Sequence, residues 1–246
     1  MDRLKGPHSM PAPKKVLKKV KKKSGQFDMK TIPLAKRRKF QQRLLGWYDE
    51  SGRDLPWRRT EDPYKILVSE VMLQQTQVDR VIPKFHEFLQ KYPTVQDLAE
   101  AKPEDVRKTW YPLGYNIRPY RLHGIACEAM ERYGGRIPSE EEELLSMKGI
   151  GRYTAGAIQS FAFQKDAAIL DTNVIRVLHR IFIGTGDPKK QKAILWILSE
   201  KLIPKGKGYD FNQALMDFGA MVCTARKPFC LLCPMRDICR TVSAHE

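Results

Sequence analysis

Apolar side chains return at helical spacing along nearly the whole chain from Arg37 onward. Phe40, Leu44, Leu45, Trp47 and Tyr48 mark a first helix, which Gly52 ends. A strong helix is predicted over 64–76 and another over 78–91, closed by Tyr92-Pro93. Shorter helices follow over 94–101, 103–111 with Pro103 in its first turn, and 118–133. Leu144, Leu145 and Met147 close one periodic segment, Gly149-Ile150-Gly151 breaks it, and Ala155, Ala157, Ile158, Phe161 and Ala162 open the next. Helices over 173–182, 189–202 and 211–222 complete the pattern. Residues Ala167 to Leu170 are apolar enough for a short strand, but among helices they read as a buried connection. With no convincing sheet and no repeat of solenoid length, the predicted fold class is all-α.

At 246 residues and 42% hydrophobic, the chain buries a sizeable core in one large domain or two small lobes. The formal net charge is +16, but residues 1–39 hold 14 Lys+Arg against 2 Asp+Glu, a net of +12, which leaves +4 for the rest. Any anion-binding face on the globular part must therefore be a local patch. Residues 1–35, with the run KKVLKKVKKK, are expected to be a disordered basic tail that touches phosphates or carries a localisation signal. No apolar run approaches the roughly 20 residues that span a bilayer, so the expectation is an intracellular protein without a membrane partner.

Three groups of residues carry chemistry. Gly149 and Gly151 flank one aliphatic at the start of a helix, where bare backbone N–H groups and the helix dipole suit a phosphate. Asp171 follows 20 residues after Gly151. Glu70 interrupts a buried-looking stretch, and flanking by Val68, Val71 and Leu73 should raise its pKa until it can donate a proton near neutrality. Cys223, Cys230, Cys233 and Cys239 form C-x6-C-x2-C-x5-C, a metal pattern in an intracellular protein. Four thiolates suit either a structural zinc or a [4Fe-4S] cluster, and ligand count alone does not choose. Between them, Arg226 and Lys227 would project from a rigid loop, where they would suit phosphate contacts. The lone Cys127 reads as a core residue.

The run LxxMKGIGRYTAGAI followed by ILDTNVIRVLHR resembles the helix-hairpin-helix, loop and aspartate of the base-excision DNA glycosylases that include endonuclease III and the adenine glycosylases of the MutY type. SEVMLQQTQV is close to a signature of the MutY type. The resemblance covers residues 37–240 and implies two helical lobes. One is a six-helix lobe of about 65–153; the other combines 36–64 with 154–240, and a tail follows over 241–246. It also implies that the cysteine loop, 223–239, holds a [4Fe-4S] cluster.

Carried over position by position, the resemblance makes Glu70 the acid that protonates the departing adenine and then assists water. Asp171 becomes the stabiliser of the sugar cation or its adduct, and Asn173 the neighbour of the reacting sugar. Gln75 becomes a wedge in the base stack. Arg53, Trp57, Arg58 and Leu73 line the base pocket, Gln213 contacts the adenine edge, and Tyr115 sits in the loop that probes the opposite strand. That loop has Asn116 where a second tyrosine is usual. Tyr153 stands where lyase members carry a lysine that forms a Schiff base, so base removal with little or no strand cleavage is implied. The expected partner is mismatched double-stranded DNA, bound by a monomer. MutY-type enzymes usually carry a further C-terminal domain that reads 8-oxoguanine, whereas this sequence stops at Glu246, so a catalytic domain alone is expected. A thymine or uracil mismatch glycosylase on the same scaffold is the alternative reading, and a non-catalytic DNA-binding scaffold a more distant one.

Overall fold

A computed structural model describes residues 29–114 and 117–243. Their regular elements are all helical, with no strand among the described residues. In chain order the helices are α1 (Leu34–Ser51), α2 (Pro63–Leu73), α3 (Val78–Lys91), α4 (Val95–Glu100), α5 (Pro103–Trp110), α6 (Ile117–Tyr133), α7 (Glu141–Ser146), α8 (Arg152–Phe161), α9 (Thr172–Leu178), α10 (Lys192–Lys201), α11 (Gly208–Met221) and α12 (Arg240–Ser243). The greater part of the basic tail, and residues 244–246, lie outside the described residues.

Helix α2 is largely apolar and is buried on all sides from Ile66 to Met72, Ser69 and Glu70 included. Such a helix must be surrounded, and α3, α6 and α8 pack around it, with α4 and α5 beyond on α6. Helix α11 plays the same part elsewhere, packing on α1, α9 and α8. Phe40 of α1 joins this second group edge-on to Phe211 and Phe182. Because α8 touches both α2 and α11, the helix that follows the glycine hairpin ties the two groups together.

The end of the connection between α8 and α9, Ala167 to Leu170, runs inwards without helical hydrogen bonds and buries Ile169 and Leu170, which requires partners for its carbonyls. Asn212 Nδ2 donates to Ala167 O at 2.8 Å, and Ser199 Oγ donates to Ile169 O at 2.6 Å. Gly156 lets α8 press onto this segment: a Cβ there would stand 2.1 Å from Ala168 O. The close approach delivers Asp171 to the start of α9 at a fixed height.

Several boundaries differ from the sequence expectation. Residues 29–35, expected in the basic tail, pack on the fold: Ile32 is buried, and beside them Lys36 Nζ donates to Ile181 O at 2.9 Å. Helix α2 stops at Leu73 rather than reaching Thr76, since Gln75 takes a left-handed backbone with φ of 57°. Helix α9 changes at Leu178 to a π-type turn over His179–Ile183, ended by left-handed Gly184. The segment from residue 241 enters α12 before the described residues end. Cys127 is half-buried rather than core, with its thiol 3.7 Å from Ala99 O.

Candidate active site

A cavity of about 540 Å³ opens between α2, α8, the start of α9 and α11. Its wall includes Glu70, Tyr153, Asp171, Asn173 and Gln213, together with Arg53, Trp57, Arg58, Leu73 and Gln75 from the predicted set. Tyr115 and its neighbour Asn116 lie outside the described residues.

Glu70 is 4% exposed, and its Oε2 has no hydrogen-bond partner. Burial pushes its pKa up to about 7, against the opposing pull of the Tyr153 hydroxyl and the Arg58 charge. Asp171 caps α9: Oδ1 accepts from the Val174 N–H at 2.7 Å, and Oδ2 accepts from Asn173 Nδ2 at 2.9 Å. Burial raises its pKa too, though these hydrogen bonds favour the charged form. The two carboxyls thus have distinct surroundings, one with an orphaned oxygen in an apolar wall and one held by donors at a helix start. Tyr153, in the first turn of α8, keeps its proton because of burial and the two carboxyls nearby. Its hydroxyl points at Met216 Sδ, 3.7 Å away.

Gln213 on α11 is 3% exposed with an unpartnered Oε1. Buried polar atoms ordinarily find partners, so an open acceptor in the wall is suited to a ligand's N–H. Trp57 is buried and set edge-on to Phe85 at 5.6 Å between centroids. At the rim, Gln75 is exposed on its left-handed turn.

Gly149 has φ of 110°, and a Cβ there would lie 2.5 Å from Arg121 Cγ, so the turn requires glycine. Ile150 is buried, while Gly151 is exposed at the N-cap of α8 with nothing within 4 Å of a Cβ position. The hairpin is anchored by its aliphatic and open at its N–H groups.

Three residues that sequence reading missed hold this site together. Arg118 is 3% exposed and donates to the carbonyls of Val71, Met72 and Gln74 at the end of α2, to Thr76 Oγ1, and to the carbonyls of Leu113 and Gly114. Arg176 donates to Asn173 Oδ1 at 2.8 Å, to Gly219 O at 2.7 Å and to Cys223 O at 2.7 Å, which links the cysteine loop to the partner of Asp171. Asp217 binds Arg53 and Arg58 from within α11. For Arg176 and Asp217 the available signal was a charged residue in a largely apolar helix, which periodicity alone assigns to solvent, and Arg118 had no such signal.

Cys223, Cys230, Cys233 and Cys239 line a separate cavity of about 380 Å³, walled otherwise by apolar side chains and the arginines Arg180 and Arg236. Arg180 Nη1 donates to Cys223 Sγ at 3.5 Å, and the Met235 N–H to Cys233 Sγ at 3.4 Å. Among the described residues no three Cys, His, Asp or Glu side chains are close enough to grip a single metal ion. Arg226 and Lys227 are exposed on the loop, as are Phe229, Leu231 and Leu232.

Residues 68–201 match the family described as HhH-GPD superfamily base excision DNA repair protein. The adenine DNA glycosylase of Homo sapiens is 45% identical over 212 residues, 82% of this chain and 39% of that protein. That of Mycolicibacterium smegmatis is 43% identical over 202 residues, 82% of this chain and 69% of that protein. A thymine/uracil-DNA glycosylase from Methanothermobacter thermautotrophicus is 37% identical over 206 residues, 83% of this chain and 93% of that protein. The chain spans about two fifths of the length of its mammalian relatives. Among solved structures, a thermostable thymine-DNA glycosylase superposes with a TM-score of 0.81 at 36% identity, covering 85% of this chain and 98% of that one. Endonuclease III trapped on DNA superposes at 0.73 over 85% of this chain and 96% of that one; at 23% identity this likeness concerns the fold alone. The chain belongs to the HhH-GPD, or helix-hairpin-helix, superfamily of base excision DNA repair proteins.

Proposed function

We propose that this chain hydrolyses the N-glycosidic bond of adenine mispaired with guanine or 8-oxoguanine, releasing the base without cutting the strand. The observation that carries the reading is Glu70, buried and able to hold a proton near pH 7, lining one cavity with the differently held carboxyl of Asp171. A purine leaves poorly as an anion, so a proton donor in the base pocket is the group this reaction needs. As the C1′–N bond breaks, its electron pair goes with the base, which takes the proton of Glu70. Ionised Asp171 stabilises the positive charge on the sugar. Water then adds its oxygen to C1′ and returns a proton to the Glu70 carboxylate. Base extrusion into the cavity precedes these steps, with Gln75 filling the gap and the Gly149–Gly151 hairpin, Arg226 and Lys227 on phosphates. Tyr153 offers a hydroxyl and no amine, so no Schiff base forms on it.

The adenine relatives and the SEVMLQQTQV motif support adenine as the base. A second reading, thymine or uracil opposite guanine, is favoured by the relative matched over 93% of its length. Incubation with A:G, A:8-oxoguanine, T:G and U:G duplexes separates them. Release of adenine, with strands intact until alkali treatment, is expected; release from the thymine or uracil duplexes alone would reverse the assignment.

The four cysteines fit a [4Fe-4S] cluster. Their thiols line one cavity that also supplies N–H donors to sulfur, the donors that tune such clusters. When bound, the cluster supplies a rigid fold for the loop that carries Arg226 and Lys227. Purified protein should absorb broadly near about 400 nm with roughly four iron atoms per chain. Colourless protein with one zinc would overturn the assignment.

A further inference from the structure

Asp217 lies one helical turn beyond Gln213 on α11 and has no exposed surface. Every hydrogen bond recorded for its carboxylate comes from the loop between α1 and α2. Oδ1 accepts from Arg53 Nε at 2.8 Å, Arg53 Nη2 at 2.6 Å and Arg58 Nη2 at 2.8 Å. Oδ2 accepts from the Arg53 N–H at 2.9 Å and Arg58 Nη1 at 2.8 Å. A carboxylate has about four lone-pair sites, so this one is saturated. Burial opposes its ionisation, but the bonds from Arg58 and Arg53 outweigh burial and hold its pKa below the usual range.

Both arginines line the base cavity. Arg58 is nearly buried, donates to Arg53 O at 2.7 Å, stands over the Tyr48 ring, and accepts the Tyr209 hydroxyl on its own carbonyl at 3.2 Å. One carboxylate thus faces two guanidiniums, and the wall keeps a surplus positive charge that Glu70 senses through Arg58. The other titratable groups acting on Glu70 are Tyr153 from α8 and Asp171 from the cap of α9.

We propose that Asp217 is a positioning residue of the base pocket: it pins Arg53 and Arg58 in the wall and, by neutralising half their charge, keeps Glu70 able to carry a proton. This rests on Glu70 serving as the acid. With a neutral residue at 217, two unbalanced guanidiniums would favour ionised Glu70, and the acid would be lost at neutral pH.

The test is a carboxyl-carbon NMR titration of ¹³C-glutamate-labelled, DNA-free protein, with the Glu70 signal assigned by its absence in Glu70→Gln. Asp217→Asn should lower the Glu70 midpoint by about one pH unit, and Arg58→Gln should raise it. Asp217→Glu, which keeps the charge, should titrate close to the native chain. Opposite shifts are the signature, since a merely structural role gives none. Midpoints that stay put, or that move together, overturn the proposal. Should Asp217→Asn fail to melt cooperatively, Arg58→Gln decides alone, and a midpoint that stays or falls counts against the clamp. Base release measured over the same pH range should lose its alkaline side in step with these midpoints. Native protein inert on every duplex, with midpoints moving as expected, would refute base excision and leave the clamp standing.

Discussion

Glu70→Gln is expected to slow single-turnover base release by about 10²–10⁴-fold, the range a positioned acid supplies, while leaving the folded protein at least as stable as before. The amide keeps the shape of the side chain but cannot give up a proton to the base. The gain in stability follows from the sign of the shift. A carboxyl whose pKa rises from 4.5 to about 7 on folding contributes fully below the unfolded value, and that contribution disappears as pH rises through 7. At pH 8 the native chain therefore bears a cost on the order of 3 kcal/mol at this position, which glutamine removes. Rapid-quench base release together with thermal melting at pH 5.5 and 8 checks both halves. Full activity in the variant would exclude Glu70 as the acid. The same shift predicts that release by the native chain declines as pH rises through about 7.

Asp171→Asn is expected to cost about 10²–10³-fold in release, comparable to removing one preorganised electrostatic partner of the transition state, with little change in melting temperature. Asparagine caps helices as well as aspartate does, so the bond to the Val174 N–H survives, while the charge and the bond that Oδ2 accepts from Asn173 Nδ2 are lost. Asp171→Ala would add roughly 1 kcal/mol of lost capping, which separates the structural from the chemical part. Two pH effects accompany the change. The native acid limb, set by the raised pKa of Asp171, should vanish. The alkaline limb should move down, because the Asp171 charge helps keep Glu70 protonated. Combined with Glu70→Gln, the loss should fall short of the product of the single losses, as for groups that act as a unit. An unchanged rate for Asp171→Asn would exclude an anionic role.

How far these features could be read in advance depended on whether their cause was local. Helices α1 and α3 were foreseen within a few residues because their apolar repeats and terminators lie in the same stretch. The two carboxyls of the cavity were legible because each breaks a pattern: Glu70 a buried run, Asp171 the join between an apolar connection and a helix. The end of α2 was missed because Gln74, Gln75 and Thr76 include no Gly or Pro to mark a stop, whereas its last carbonyls are captured by Arg118, more than forty residues away. Asp217 was missed for a related reason. Its partners lie about 160 residues earlier, and no local pattern distinguishes a buried carboxylate that has found two arginines from one facing water. Polar networks that unite distant segments leave little periodic trace, whereas apolar faces leave a strong one.

Arg118 carries a further consequence, one for engineering. The turn that bears Gln75 and the backbone at Leu113 and Gly114 share this one guanidinium, which supplies donors to both. They are therefore a single interchangeable part. A loop transplanted from a relative into either place inherits a fitting cut for its counterpart, so the two must be exchanged as a matched pair around the same arginine.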